Sequence, residues 1–495
     1  MVHKTLIASF SLSLLLAACS GEDTDTAATT TPAAPPPEPL DPAAVVQEAV
    51  DAMGMGFLTS IVYTGEAWRV RNGFMQTPSA DPPWPSRDTI TNYRRAIDLR
   101  DLSRPSSRAT GETFASNIFL DPPQPGTYQQ NVAPDQKAWN QQLEIWLTPW
   151  GFLKGAQQYG ATVEQREVDG DEVLTLTWQS PPDQLSPSGM RYTVTGYLDD
   201  DKRVSKVETW VDDPFMGDFH IVGVYEDYRE INGLQVPTTM EQQRGGGGIF
   251  GVKVDNAIMN PVDIRDLVAI PAPPTPPGAG APPAPPGELA ERLAENVYLI
   301  KGGYQSLALG FADHVVVFEA GQSEARGQQI LDEVKRLFPD KPIRYLINSH
   351  PHSDHTAGMV PFVREGATIV THENNVNFLR MALSTPRTLL GQPPLNPQFM
   401  SVGSVTTLED ETMKIELHHI AGNEHSDGII VGLVPSARVL FQADFTLPQP
   451  GAQPNPFVRG LAAYVRDNDL DFEHYIAVHA AAVPQTKADL LAAIE

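Results

Sequence analysis

The chain has 495 residues, and 35 Lys and Arg against 61 Asp and Glu give a formal net charge of −26. That length exceeds one ordinary domain, and the acidic surplus, with no basic run to offset it, excludes nucleic acid as a partner, because phosphates must be met by Lys and Arg. The single cysteine, Cys19, excludes an intramolecular disulfide and any cysteine metal ligand further along the chain.

The first residues are Met1-Val2-His3-Lys4, then an apolar stretch from Leu6 to Ala18, then Cys19. The stretch is too short to cross a bilayer comfortably. Leu16-Ala17-Ala18-Cys19 fits the bacterial lipoprotein signal, so residues 1–19 are expected to be a signal peptide ending at the lipobox cysteine. Lipidation of Cys19 would hold the protein to a membrane by an anchor alone. The alternative is a plain secretory signal with an incidental cysteine. Ser20 resembles the outer-membrane sorting choice, so the expected location is the periplasmic face of a bacterial envelope. Residues 20–39 are rich in Thr, Ala and Pro, without apolar periodicity, and are expected to be a tether.

Residues 40–270 are expected to form a β-rich domain. A helix is expected near Pro42–Met55. Val173–Trp178 and Arg191–Leu198 alternate in character, a turn at Asp199–Lys202 feeds Val204–Val211, and His220–Tyr228 leads to an Asn232-Gly233 hairpin signal. Four or five antiparallel strands in succession imply a curved meander. Tyr225–Tyr228 through Val236-Pro237, followed by Val252–Pro261, weakly resembles the sheet repeats of periplasmic lipoprotein-carrier-like domains. Such a sheet would either bind an apolar ligand or pack as a structural module. Gly245–Gly248 lacks the Lys-Ser/Thr of a phosphate loop and is expected to be a flexible hairpin tip. Residues 271–287 are dense in proline, which favours an extended, semi-rigid linker.

From residue 288 onward the pattern changes. Val315–Phe318 is an apolar strand ending in Glu319-Ala320-Gly321. Ser323 can cap a helix in which Ile330, Val334, Leu337 and Phe338 recur at helical spacing, and Pro339 stops it. The strand Ile343–Ile347 then delivers His350-Pro351-His352-Ser353-Asp354-His355. Three histidines and a carboxylate within six residues, from only 12 His in the chain, are the ligand types that a divalent metal such as Zn²⁺ recruits.

This His-x-His-x-Asp-His run, with the strand, helix and Gly358 around it, resembles the signature of the metallo-β-lactamase-fold hydrolases over residues 288–495. The resemblance implies an α+β chain: a C-terminal αββα sandwich preceded by the antiparallel β-rich domain. It also implies a dinuclear centre in which His350, His352 and His425 hold one ion and Asp354, His355 and His479 the other, with Asp444 bridging. Two Zn²⁺ are the expected cofactors, with Fe and Mn left open because His and Asp suit all three. With no cysteine ligand available, the second site cannot be of the Asp-Cys-His kind.

The sequence departs from the family pattern at Ala443, Ala480 and Asn423-Glu424. His372, His418, His419 and His474 are expected to be surface or supporting residues. Arg387, in a region expected to cover the metals (Asn374–Phe399, with Phe445–Arg466), is expected to be a solvated surface arginine.

The activity implied is hydrolysis of a small carbonyl compound (an ester, lactone, thioester or amide) by a metal-bound hydroxide, with Asp354 as the catalytic residue that accepts a hydrogen bond from the hydroxide. The alternatives are β-lactam hydrolysis, sulfate or phosphate ester hydrolysis, and a non-enzymatic lipid- or ligand-binding lipoprotein. No oligomeric state can be read from these patterns.

Overall fold

The structure, a computed structural model, describes residues 39–71, 73–84, 86–115, 124–136, 138–271, 289–447, 456–479 and 485–492. The expected signal peptide with Cys19, the tether and the linker lie outside these residues, apart from positions 39 and 271. Among the described residues no helix is long and apolar enough to cross a membrane.

The N-terminal region is one antiparallel sheet of eleven strands: β1 Ser60–Val70, β2 Arg87–Asp98, β3 Ser106–Ala115, β4 Gln124–Val132, β5 Thr162–Val168, β6 Asp171–Gln179, β7 Thr193–Leu198, β8 Val204–Asp213, β9 Gly217–Ile231, β10 Leu234–Arg244 and β11 Gly247–Met259. The order is β4-β3-β2-β1-β11-β10-β9-β8-β7-β6-β5. The expected meander of four or five strands therefore covers only part of it. Asn232 and Gly233 turn β9 into β10 with φ of 53° and 80°, the left-handed pair that a two-residue hairpin requires.

One face of this sheet is packed by helices. Pro42–Ala52 is capped by Asp41, whose side chain accepts from the Ala43 N–H, and it buries Val45, Val46, Ala49 and Val50 on one stripe. Trp139–Trp146 and Pro149–Tyr159 bring Trp146 and Phe152 against Trp178 of β6, and Trp150 against Tyr63 of β1. The void left beside Tyr63, Arg95 and Glu144 is only about 50 Å³, far below the several hundred needed to enclose a ligand.

The C-terminal region is a sandwich of two sheets. The first runs β12 Ala290–Ala294, β13 Val297–Ile300, β14 Ser306–Gly310, β15 Val315–Phe318, β16 Ile343–Ile347, β17 Thr368–His372 and β18 Gln398–Val402, in that order; the last four are mutually parallel. The second runs β19 Val405–Glu409, β20 Lys414–His419, β21 Ile430–Val434, β22 Val439–Gln442, β23 His474–Ala477 and β24 Gln485–Thr486.

Val316, Phe318, Ile347 and Val370 meet Ile415, Leu417, Ile430 and Phe441 between the sheets. Helices Glu324–Leu337, Met359–Glu365 and Glu373–Ser384 cover the outer face of the first sheet, and Pro456–Asp467 with Lys487–Ala492 packs on the second. The layers are therefore αββα. The core of the eleven-stranded sheet and the core under the helices of the first sandwich sheet form one continuous apolar cluster.

Candidate metal centre

Every residue of the expected ligand set that lies in the sandwich stands at the end of a strand. His350 and His352 leave β16, and the chain then coils into the one-turn helix Ser353–Thr356 that carries Asp354 and His355. His425 sits in the turn between β20 and β21, Asp444 just past β22, and His479 just past β23, where it bridges to Tyr304. The neighbouring strands of the two sheets hold these loops in place, so residues remote in sequence converge on one point.

The structure brings all seven together in two groups that share Asp444: His350, His352, His425 and Asp444, and Asp354, His355, Asp444 and His479. His425 Nε2 is 3.0 Å from His350 Nε2 and 2.7 Å from Asp444 Oδ2, which lies 3.5 Å from His350 Nε2. On the other side Asp444 Oδ1 is 3.0 Å from His355 Nε2 and 2.7 Å from His479 Nε2, and Asp354 Oδ2 is 3.4 and 3.5 Å from the same two nitrogens. A tetrahedral ion with bonds near 2.0–2.1 Å places neighbouring ligand atoms about 3.3 Å apart. The donor spacing suits such an ion.

The hydrogen bonds behind the ligands select which ring nitrogen faces inward. The Thr77 carbonyl, 3.1 Å from His352 Nε2, can only accept, so Nε2 carries the proton and Nδ1 is left with its lone pair. Glu319 Oε2 takes His355 Nδ1 at 2.8 Å, leaving Nε2 toward Asp354 and Asp444. Ser349 Oγ lies 2.9 Å from His350 Nδ1. His352 Nδ1, His355 Nε2 and Asp444 Oδ1 are buried without a hydrogen bond. Orphaned polar atoms inside a protein are costly, and three of them converging here fit a cation.

Protonation follows the same surroundings. Burial, with the neighbouring His355 and His425, lowers the His350 pKa to about 4, against the opposing pull of Asp444. Burial and the two neighbouring imidazoles likewise hold His352 well below its usual value. Burial also opposes charge on His355, but Asp444 and Glu319 outweigh it and raise the pKa well above the ordinary range. His479 is raised to about 9 for similar reasons: the Asp354 and Asp444 carboxylates beside it overcome its burial. Asp354 and Asp444 sit below the usual carboxylate range, since the histidines around them more than offset desolvation. Two carboxylates are thus held ionised among buried imidazoles.

Part of the centre comes from outside the sandwich. Between β1 and β2 the N-terminal region sends a loop across the ligand-bearing turns. Gln76 Nε2 donates to Ser353 Oγ and to Asp354 Oδ1, each at 3.0 Å; the Ser353 N–H donates to the Met75 carbonyl and the Asp427 N–H to the Pro78 carbonyl.

The Gly245–Gly248 run forms the tip of the β10–β11 hairpin, as expected, and this tip packs against the loop. Gly245 and Gly246 turn β10 into β11 at φ of 57° and 84°, and a Cβ on Gly245 would come 2.8 Å from the Phe74 ring. Phe74 is in edge contact with Trp84 and stacks on Phe219 of β9. Glycine is present because the loop packs directly on the turn.

Gln76, Thr77, Glu319 and Tyr304 were not candidate site residues in the sequence. Glu319 is fully buried at φ 74°, an uncommon setting for a non-glycine residue, and its other carboxylate oxygen accepts from the Ser349 N–H at 2.8 Å. The acid ahead of Ala320-Gly321 was the available signal. Tyr304 OH donates to Asp354 Oδ2 at 3.3 Å. Of the family departures, Asn423 holds the His425 turn by accepting its N–H at 2.9 Å, and Ala480 lies outside the described residues.

Arg387 corrects its expectation. It is 1% exposed and donates to the Phe215 and Pro214 carbonyls, tying the sandwich to the β8–β9 turn. A backbone tie of this kind cannot be distinguished from a surface arginine by local sequence. Asn374–Ser384 lies within the helix Glu373–Ser384 and is not a loop. His372, His418, His419 and His474 join neither ligand group; His372 and His418 are buried rather than on the surface, and His372 stacks on His419 at 3.7 Å.

Residues 291–478 match the family model described as the metallo-beta-lactamase superfamily. Similar solved structures include a metallo-beta-lactamase from Pontibacter korlensis (14% identity, 41% of this chain and 97% of that one, TM-score 0.34). A B3 metallo-beta-lactamase with an active-site glutamic acid (19%, 42% and 86%, TM-score 0.33) and the DIM-1 metallo-beta-lactamase (16%, 41% and 94%, TM-score 0.33) are similar as well. No curated protein matches the chain.

Proposed function

From the metallo-β-lactamase-superfamily match of residues 291–478, we propose that the protein is a dinuclear zinc hydrolase of a small ester, lactone, thioester or amide. The observation that carries this reading is the Asp444 carboxylate, with one oxygen facing His350 and His425 and the other facing His355 and His479. When bound, divalent ions supply Lewis acidity, generating a nucleophile from water near neutrality and polarising a substrate oxygen.

The remaining work falls to the chain. Asp354 is ionised, partly exposed and held at both oxygens, Oδ1 by Gln76 and Oδ2 by Tyr304. Its position suits it to accept a hydrogen bond from an attacking water and so to orient it. Glu319 fixes the His355 ring, and the Thr77 carbonyl fixes His352, so neither imidazole has to reorient as substrate arrives. The acidic chain disfavours polyanionic substrates.

The test is turnover by the purified protein on nitrocefin, aryl esters, lactones, thioesters and aryl sulfates, before and after chelation. Chelator-sensitive turnover of one of the carbonyl compounds is expected, with Asp354→Asn slower by about a hundredfold or more. A chelator-sensitive sulfatase inert on all carbonyl compounds would overturn the substrate class.

A further inference from the structure

A second cavity, of about 670 Å³, opens between the N-terminal sheet and the sandwich, and none of the seven expected ligands lines it. Its walls come from β7–β10 on one side and from Met381 and the segment Thr385–Leu389 on the other. The volume is that of a small-molecule site. Much of the lining is apolar: Phe219, Val222, Leu389 and Met381, with the Trp210 ring stacked on His220 at 4.4 Å.

The charged side chains that reach the cavity differ in how they are satisfied. Arg191 donates to the Gln179 and Ser180 carbonyls. Asp218 accepts from the Thr388 and Leu389 N–H groups and from the Thr388 hydroxyl. His220 is paired with Glu208 at 3.2 Å.

Arg244, the last residue of β10, is the exception. Its Nε is buried without a hydrogen-bond partner, and among the described residues its guanidinium makes no direct hydrogen bond or ion pair; Glu144 and Asp213 attract it only from a distance. A half-buried guanidinium with no direct ion pair leaves its fork open to a carboxylate.

We propose that this cavity binds a small amphipathic oxyanion, whose charged group pairs with Arg244 and whose apolar part lies against Val222, Phe219 and Met381. The inference stands apart from the hydrolase reading, since it uses neither the metals nor turnover.

The full chain is titrated with 8-anilinonaphthalene-1-sulfonate, followed by displacement with decanoate or decanol. One saturable site per chain is expected, emptied by decanoate and not by decanol. Arg244→Met should weaken binding at least tenfold, with Arg244→Lys between it and the wild type. Met381→Trp fills the mouth from a helix position that is 42% exposed, so it should block the probe without disturbing the core, and it decides the matter if Arg244→Met fails to fold. Absence of a saturable site, displacement by decanol as effective as by decanoate, or unchanged binding in Arg244→Met or Met381→Trp would each overturn the proposal.

Discussion

Gln76 has no functional signature of its own, yet it holds the carboxylate on which the proposed chemistry depends. It reaches Asp354 Oδ1 from 278 residues away, through a loop seated on Phe74 and Trp84. Supporting hydrogen bonds of this kind are worth roughly 10–100-fold in metal affinity. Gln76→Ala is therefore expected to weaken the ion beside Asp354 by about tenfold or more in competition with a chromophoric zinc chelator. The melting temperature of the metal-free protein should change little, because Gln76 is not part of the apolar core. Equal affinity in the variant would show that Gln76 does not hold the Asp354 carboxylate for the ion. His350 to His355 were legible in the sequence because their chemistry is written in six adjacent residues. Gln76, Thr77 and Tyr304 were not, because each acts on a partner chosen by tertiary packing.

Secondary-structure elements were legible where one local rule decided them. Asn232-Gly233 needs two left-handed residues, and the capped helix Glu324–Leu337 needs a stripe; both stand in the structure. The four-glycine run was legible as a hairpin tip, but its packing against Phe74 was not, because a packed turn and a free one have the same composition. Strands such as Arg87–Asp98 were missed because, among so many charged and polar residues, they lack a clear alternation. Trp139–Trp146 and Pro149–Tyr159 were also missed, although Thr148 with Pro149 is a helix start and the Thr148 side chain accepts from the Gly151 N–H.

Within β8, Glu208 takes the Tyr197 hydroxyl at 2.6 Å and His220 at 3.2 Å. Burial would raise its pKa, but the hydrogen bonds from His220 and Tyr197 and the Lys206 charge bring it down to about 2. A carboxylate depressed in the fold contributes stability that is complete above its unfolded pKa, near 4.3, and is lost as pH falls through the folded value. Glu208→Gln should therefore flatten the fall in melting temperature between about pH 4.5 and 2. An acid limb identical to the wild type would show that Glu208 is unpaired in solution.

Across the whole molecule, the proline-dense residues 271–287 mark an expected linker between two regions. Proline content reports the stiffness of the connection and says nothing of the surfaces it connects. Here one apolar cluster runs through both regions, Arg387 ties them through backbone carbonyls, and the loop bearing Gln76 and Thr77 closes on the ligands. A fragment starting at residue 288 should melt well below the full chain and bind zinc more weakly. The same melting temperature and affinity in the fragment would show that these contacts carry no free energy.

The central claim is a pair of ions held by seven side chains, and it is tested by counting metal. Elemental analysis of the purified full chain should give close to two zinc ions per chain, and His352→Ala combined with His425→Ala should leave close to one, because the group of Asp354, His355, Asp444 and His479 stays intact. Two ions retained in the double variant, or no more than one in the wild type under saturating zinc, would contradict the account.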